Sequence, residues 1–85
     1  MFYYLRPAMS DFVLTEEYIT LAQVLKAVGL AGSGGEAKNL VRSGIAAVNG
    51  TIELQPGKKL RAGDKLAVKI EGRKAQQEWT LVSEE

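Results

Sequence analysis

The 85 residues carry 11 Lys plus Arg against 10 Asp plus Glu, a formal charge of +1, with 46% hydrophobic and 25% charged residues, the composition of one small globular domain with a small core. The longest charge-free stretch, Ser43–Ile52, is half of the roughly 20 apolar residues a membrane span needs. The chain has no Cys and no His, which excludes disulfides, thiolate nucleophiles, imidazole bases and the metal sites built from those ligands.

The near-neutral total conceals three blocks. Residues 1–37 hold two cations and four anions, residues 38–74 nine cations and three anions, and residues 75–85 three anions. A local charge of +6 between acidic ends points to a polyanion surface. Glu16 and Glu17 point in different directions on any regular element, so they form no catalytic dyad, and no enzyme, cofactor or metal is expected. The apolar start Met1–Leu5 is interrupted by Arg6, Pro7 and Asp11 before a signal-peptide core forms. A soluble, cytoplasmic protein is the expectation.

In chain order, Phe12-Val13-Leu14 predicts a short edge strand. Thr20 and Gln23 then have the spacing of a capping box, Ile19 is placed to staple onto Val24, and Leu21, Val24, Leu25 and Val28 repeat on one helical face that Gly29 ends. A second start, Ser33-Gly34-Gly35-Glu36, again puts Glu three residues after a capping Ser. Two glycines in a first turn weaken helix propensity, so close approach of another backbone is a reason to find them there. Ala37, Leu40 and Val41 form the apolar stripe, Gly44 stops the helix, and Lys38 and Arg42 project to solvent one turn apart.

Beyond Ile45 the period changes. Ile45–Val48 and Thr51–Leu54 flank Asn49-Gly50, a hairpin signal because both turn positions need φ > 0. Pro56-Gly57 ends the second arm, Lys58–Arg61 is basic and irregular, and Gly63-Asp64 is a turn in which Asp64 bonds local amides. Lys65–Ile70 alternates charged and apolar residues, a half-exposed strand with Leu66, Val68 and Ile70 inward. Glu78–Val82 reads as the last strand, with Trp79 supplying core area. Phe2, Tyr3 and Tyr4 are open between packing on the sheet, associating with another chain and disorder.

The run Ser33–Val41, then Gly44, Val48-Asn49-Gly50, Pro56 and Leu60-Arg61-Ala62-Gly63-Asp64-Lys65-Leu66 resembles the RNA-binding domain named after the small-subunit ribosomal protein S-four, also called the alpha-L motif. The likeness covers about residues 19–70 of a single domain spanning 1–85, with residues 1–11 as an N-terminal extension. It is similar above all to short bacterial members that stand alone and begin the second helix with Ser-Gly-Gly. The resemblance implies an α+β fold, a helix-turn-helix-like pair packed on a small, mostly antiparallel β-sheet. It also implies a basic surface, on the second helix and adjacent loop, set against structured RNA, usually ribosomal or transfer RNA. Many members place an Arg directly after the capping Ser, where this chain has Gly34. The backbone amides of Gly34, Gly35 and Glu36 are the expected replacement for that phosphate contact.

Taken alone, Lys38 and Arg42 are explained as a solvated helix flank. Lys58, Lys59, Arg61 and Lys65 follow with no acid between Glu53 and Asp64, which shifts the balance toward a nucleic-acid footprint. Lys69, Arg73 and Lys74 are candidates to extend it, although strand alternation explains Lys69 as well. The expected RNA-binding residues are therefore Ser33, Gly34, Gly35, Lys38, Arg42, Lys58, Lys59, Arg61 and Lys65. The expected partner is structured RNA, with the ribosome or its assembly intermediates as candidates and no DNA or membrane. The alternative is a protein-interaction module whose acidic ends and apolar N-terminus engage a partner while the basic patch only maintains solubility.

Overall fold

The computed structural model describes residues 9–69 and 76–84. Phe2, Tyr3, Tyr4, Ile70, Arg73 and Lys74 lie outside the described residues. The elements in chain order are β1 (Met9–Leu14), β2 (Ile19–Thr20), α1 (Leu21–Ala27), α2 (Gly34–Arg42), β3 (Ala46–Val48), β4 (Thr51–Ile52), β5 (Lys59–Leu60), β6 (Lys65–Val68) and β7 (Gln77–Ser83). Among the described residues, five strands form one sheet in the order β1-β7-β6-β3-β4, while β2 and β5 make a separate two-stranded ribbon. Every pair is antiparallel except β1 with β7. The fold is α+β, as the resemblance implied.

The registers set Leu66 opposite Val48 and Trp79, and Val68 opposite Ala46. Directly paired residues share a face, so these positions form the inner face of the sheet. Leu21, Val24 and Leu25 of α1, and Ala37 and Val41 of α2, are buried against it together with Leu14, Leu60 and Leu81. Trp79 is half-buried at the margin of this core.

Both helices are short, so their ends matter as much as their faces. At α1 the Thr20 hydroxyl accepts from the Gln23 amide and the Gln23 side chain accepts from the Thr20 amide, the reciprocal box the spacing predicts. The amides of Leu21 and Ala22 donate to the carbonyls of Lys58 and Pro56. The N-terminus of α1 is thus closed by the chain itself. Gly29, at φ +85°, ends that helix.

At α2 the capping differs from the expected reciprocal box. Ser33 Oγ accepts from the Glu36 amide at 3.2 Å, but the Glu36 carboxylate accepts from the Gly32 amide at 2.7 Å, one residue earlier than the box requires. A Cβ added at Gly34 or Gly35 would meet nothing within 4 Å. Close approach of this chain's own backbone is therefore not what the two glycines accommodate.

Asn49 (φ 52°) and Gly50 (φ 88°) form the two-residue hairpin turn between β3 and β4. The second arm is shorter than its pattern predicts: the strand is Thr51–Ile52, both exposed, and Leu54 is exposed too. The Glu53 carboxylate accepts from the Gln55 amide, turning the chain off the ladder before Pro56. Conversely, Lys58–Arg61 is not irregular throughout. Lys59 and Leu60 pair with Thr20 and Ile19, and this ribbon holds Leu60 fully buried.

Candidate nucleic-acid interface

Two surface grooves collect five of the eight cations among the described residues. The first, about 390 Å³, lies between the helices and the Pro56-Gly57 turn, and is lined by Gln23, Lys26, Gly34, Lys38, Pro56 and Gly57. The bonds from Leu21 and Ala22 to Lys58 and Pro56 keep that turn against α1. Lys26 and Lys38 are both exposed. Lys26 stands in the last turn of α1, where a cation also favours the helix dipole.

The second groove, about 600 Å³, is lined by Asn49, Glu53, Lys58, Lys59, Arg61 and Asp64, among others. Its acids are constrained. Asp64 Oδ2 accepts from the Arg61 amide at 2.8 Å and Oδ1 from Asn49 Nδ2 at 3.1 Å. The Arg61 amide bond is the main cause holding the Asp64 carboxyl below the ordinary aspartate range; the Asn49 bond and the charges of Lys58 and Arg61 act in the same direction, against some desolvation. Asp64 thus bonds local amides, as the turn chemistry predicts.

Ser33 serves as the cap of α2, and its hydroxyl is occupied by the Glu36 amide. This corrects the expectation of three open amides, because the Glu36 donor already has a partner. Gly34 and Gly35, the first two helical positions, have amides without acceptors in the helix. Arg42 is exposed at the end of α2 and lines neither groove. Lys65 alternates with the buried Leu66, so it faces the side of the sheet opposite the helices.

One residue that pattern reasoning passes over is Tyr18, 39% exposed in the turn before β2. Lys59 Nζ lies 4.8 Å and Arg61 Cζ 5.8 Å from its ring centroid, cation–π distances. The three residues meet because β2 pairs with β5, and no local signal in the sequence reports that pairing. Lys26 was also missed, since it is an ordinary end-of-helix cation until the fold sets it opposite Lys38.

No curated protein matches the chain. The profile of one family, described as the S4 domain, matches residues 12–76, which takes in both helices, the Asn49-Gly50 hairpin, the ribbon and the Gly63-Asp64 turn. On a match of that extent the chain belongs to the S4 domain family, a family of RNA-binding domains.

Proposed function

We propose that the protein binds structured RNA, ribosomal or transfer RNA, without catalysing a reaction on it, in the bacterial cytoplasm and in association with the ribosome or its assembly intermediates. The observation that carries this reading is the gathering of Lys38, Lys58, Lys59 and Arg61, all exposed, on the two grooves flanking the Pro56–Arg61 segment of an S4 domain. Their charges neutralise phosphates, and the Gly34 and Gly35 amides, beside Lys38 at the start of α2, add uncharged donors to the same anion. Arg42 and Lys65 supply contacts to more distant phosphates. Recognition is by shape, because the major groove of duplex RNA is too deep and narrow for side chains to read.

Salt titration of the complex with a structured RNA tests this. With about five phosphates neutralised, log affinity falls against log salt with a slope of roughly −3.5 to −4.5. A salt-independent complex overturns the mechanism. The competing reading, a protein-interaction module, draws on exposed Ile52 and Leu54. It requires negligible affinity for any structured RNA.

A further inference from the structure

We propose that Tyr18 is a stacking platform for one unpaired base of the bound RNA, with Lys59 and Arg61 holding that nucleotide's phosphates beside the ring. The inference rests on the RNA-binding reading above and specifies what the RNA must present. Tyr18 stands between two different surfaces. It lines an apolar groove of about 530 Å³ with Phe12, Val13, Ile19 and Ala27, a volume within the roughly 300–1,000 Å³ range of small-ligand sites. Lys59 and Arg61 do not line that groove. They line the polar groove described above while lying 4.8 and 5.8 Å from the Tyr18 ring. An apolar slot and a cationic slot separated by one aromatic ring match the two halves of a nucleotide, a flat base and a charged phosphate.

The occupant follows from the chemistry of the walls. Glu16 and Lys26 also line the apolar groove, one charge of each sign, so the slot offers a phosphate no net attraction, whereas a base edge offers N–H donors to the carboxylate and acceptors to the ammonium. Paired bases already stack within their helix, so only a bulged, looped or terminal nucleotide can present a free face. Stacking on an aromatic ring is tolerant of base identity because every base has a π-face. Tyr18 thus makes this domain distinguish RNA with an unpaired nucleotide from a continuous duplex.

The test compares the full chain's affinity for a fully paired two-stranded RNA duplex and for the same duplex with one bulged 2-aminopurine added to one strand, so that the terminal pairs are common to both. The native chain is expected to prefer the bulged duplex roughly 5- to 100-fold and to change the 2-aminopurine fluorescence as the base stacks. Tyr18→Ala and Tyr18→Leu should lose both the preference and the fluorescence change while still binding the paired duplex. Tyr18→Phe, with its ring intact, should retain both. Equal affinity of the native chain for the two duplexes, or a preference that survives Tyr18→Ala, overturns the platform and leaves RNA binding standing. Failure to bind either duplex overturns RNA binding itself, and the platform with it.

Discussion

Asn49 donates from Nδ2 to Asp64 Oδ1 at 3.1 Å and accepts the Lys65 amide on Oδ1 at 3.0 Å, so one side chain ties together two turns 15 residues apart in sequence. Backbone bonds reinforce the tie, since the Asn49 amide donates to the Lys65 carbonyl at 2.8 Å. The position of Arg61 depends on it, because the Asp64 carboxylate that Asn49 holds also accepts the Arg61 amide.

Asn49→Ala removes both side-chain bonds and leaves a residue less tolerant of φ 52° at the turn. Net values of about 0.5–1.5 kcal/mol per hydrogen bond give an expected loss of about 1–3 kcal/mol in urea unfolding. Because Asp64→Ala breaks one of the same bonds, the double variant should lose less than the sum of the two single variants. Strict additivity would show that the Asn49–Asp64 bond contributes nothing.

The lowered pKa of Asp64 gives a pH dependence of definite sign. A carboxyl whose folded-state pKa is depressed stabilises the fold above the unfolded value, about 4, and that contribution is lost as pH falls through the lower folded value. The urea midpoint of the native chain should therefore drop more steeply below about pH 4 than that of Asp64→Asn. Parallel curves for the two proteins would remove Asp64 from the acid transition.

Gly35→Ala should separate stability from binding. The added Cβ meets nothing within 4 Å, and Ala is favoured over Gly by up to about 1 kcal/mol in a helix, so the thermal midpoint should rise. Affinity for structured RNA should fall, because a side chain beside the open Gly34 and Gly35 amides keeps a phosphate away. A stabilised variant with unchanged RNA affinity would exclude the start of α2 from the interface.

Charge reversal addresses the two grooves together. Lys38→Glu combined with Arg61→Glu places an acid in each, at exposed positions where the fold should lose no more than about 0.5 kcal/mol. RNA binding should be abolished while circular dichroism and the urea midpoint stay near native. Retained binding would move the interface elsewhere on the molecule.

The helices and the hairpin were legible because their signals are local. Thr20 with Gln23, the Leu21-Val24-Leu25 face and the positive-φ Asn49-Gly50 pair each lie within a few residues of one another. The ribbon was not, since Lys59-Leu60 is too short to show a period and its partner Ile19-Thr20 reads as the approach to a helix. Tyr18 went unnoticed for the same reason, its two cations arriving from about 40 residues away. The basic block was visible as charge, but its division was not: alternation with Leu66 turns Lys65 to the far side of the sheet, while the Pro56–Lys58 carbonyls on α1 carry Lys58 and its neighbours toward the helices.

The parallel pairing of β1 with β7, which sets Phe12 beside Leu81 and Val13 beside Val82, dictates an order of assembly. During synthesis residues 9–14 emerge well before residues 77–83, which make their one strand neighbour among the described residues. The helix pair and the hairpin close over short sequence distances and can form early, whereas this contact spans nearly the whole chain and is slow to find. β1 is thus expected to dock last and, as an edge strand with one neighbour, to detach first, with its amides exchanging hydrogen faster than those of β6. Because Phe12 and Val13 also wall the groove beside Tyr18, the base platform is completed only when β1 has paired with β7.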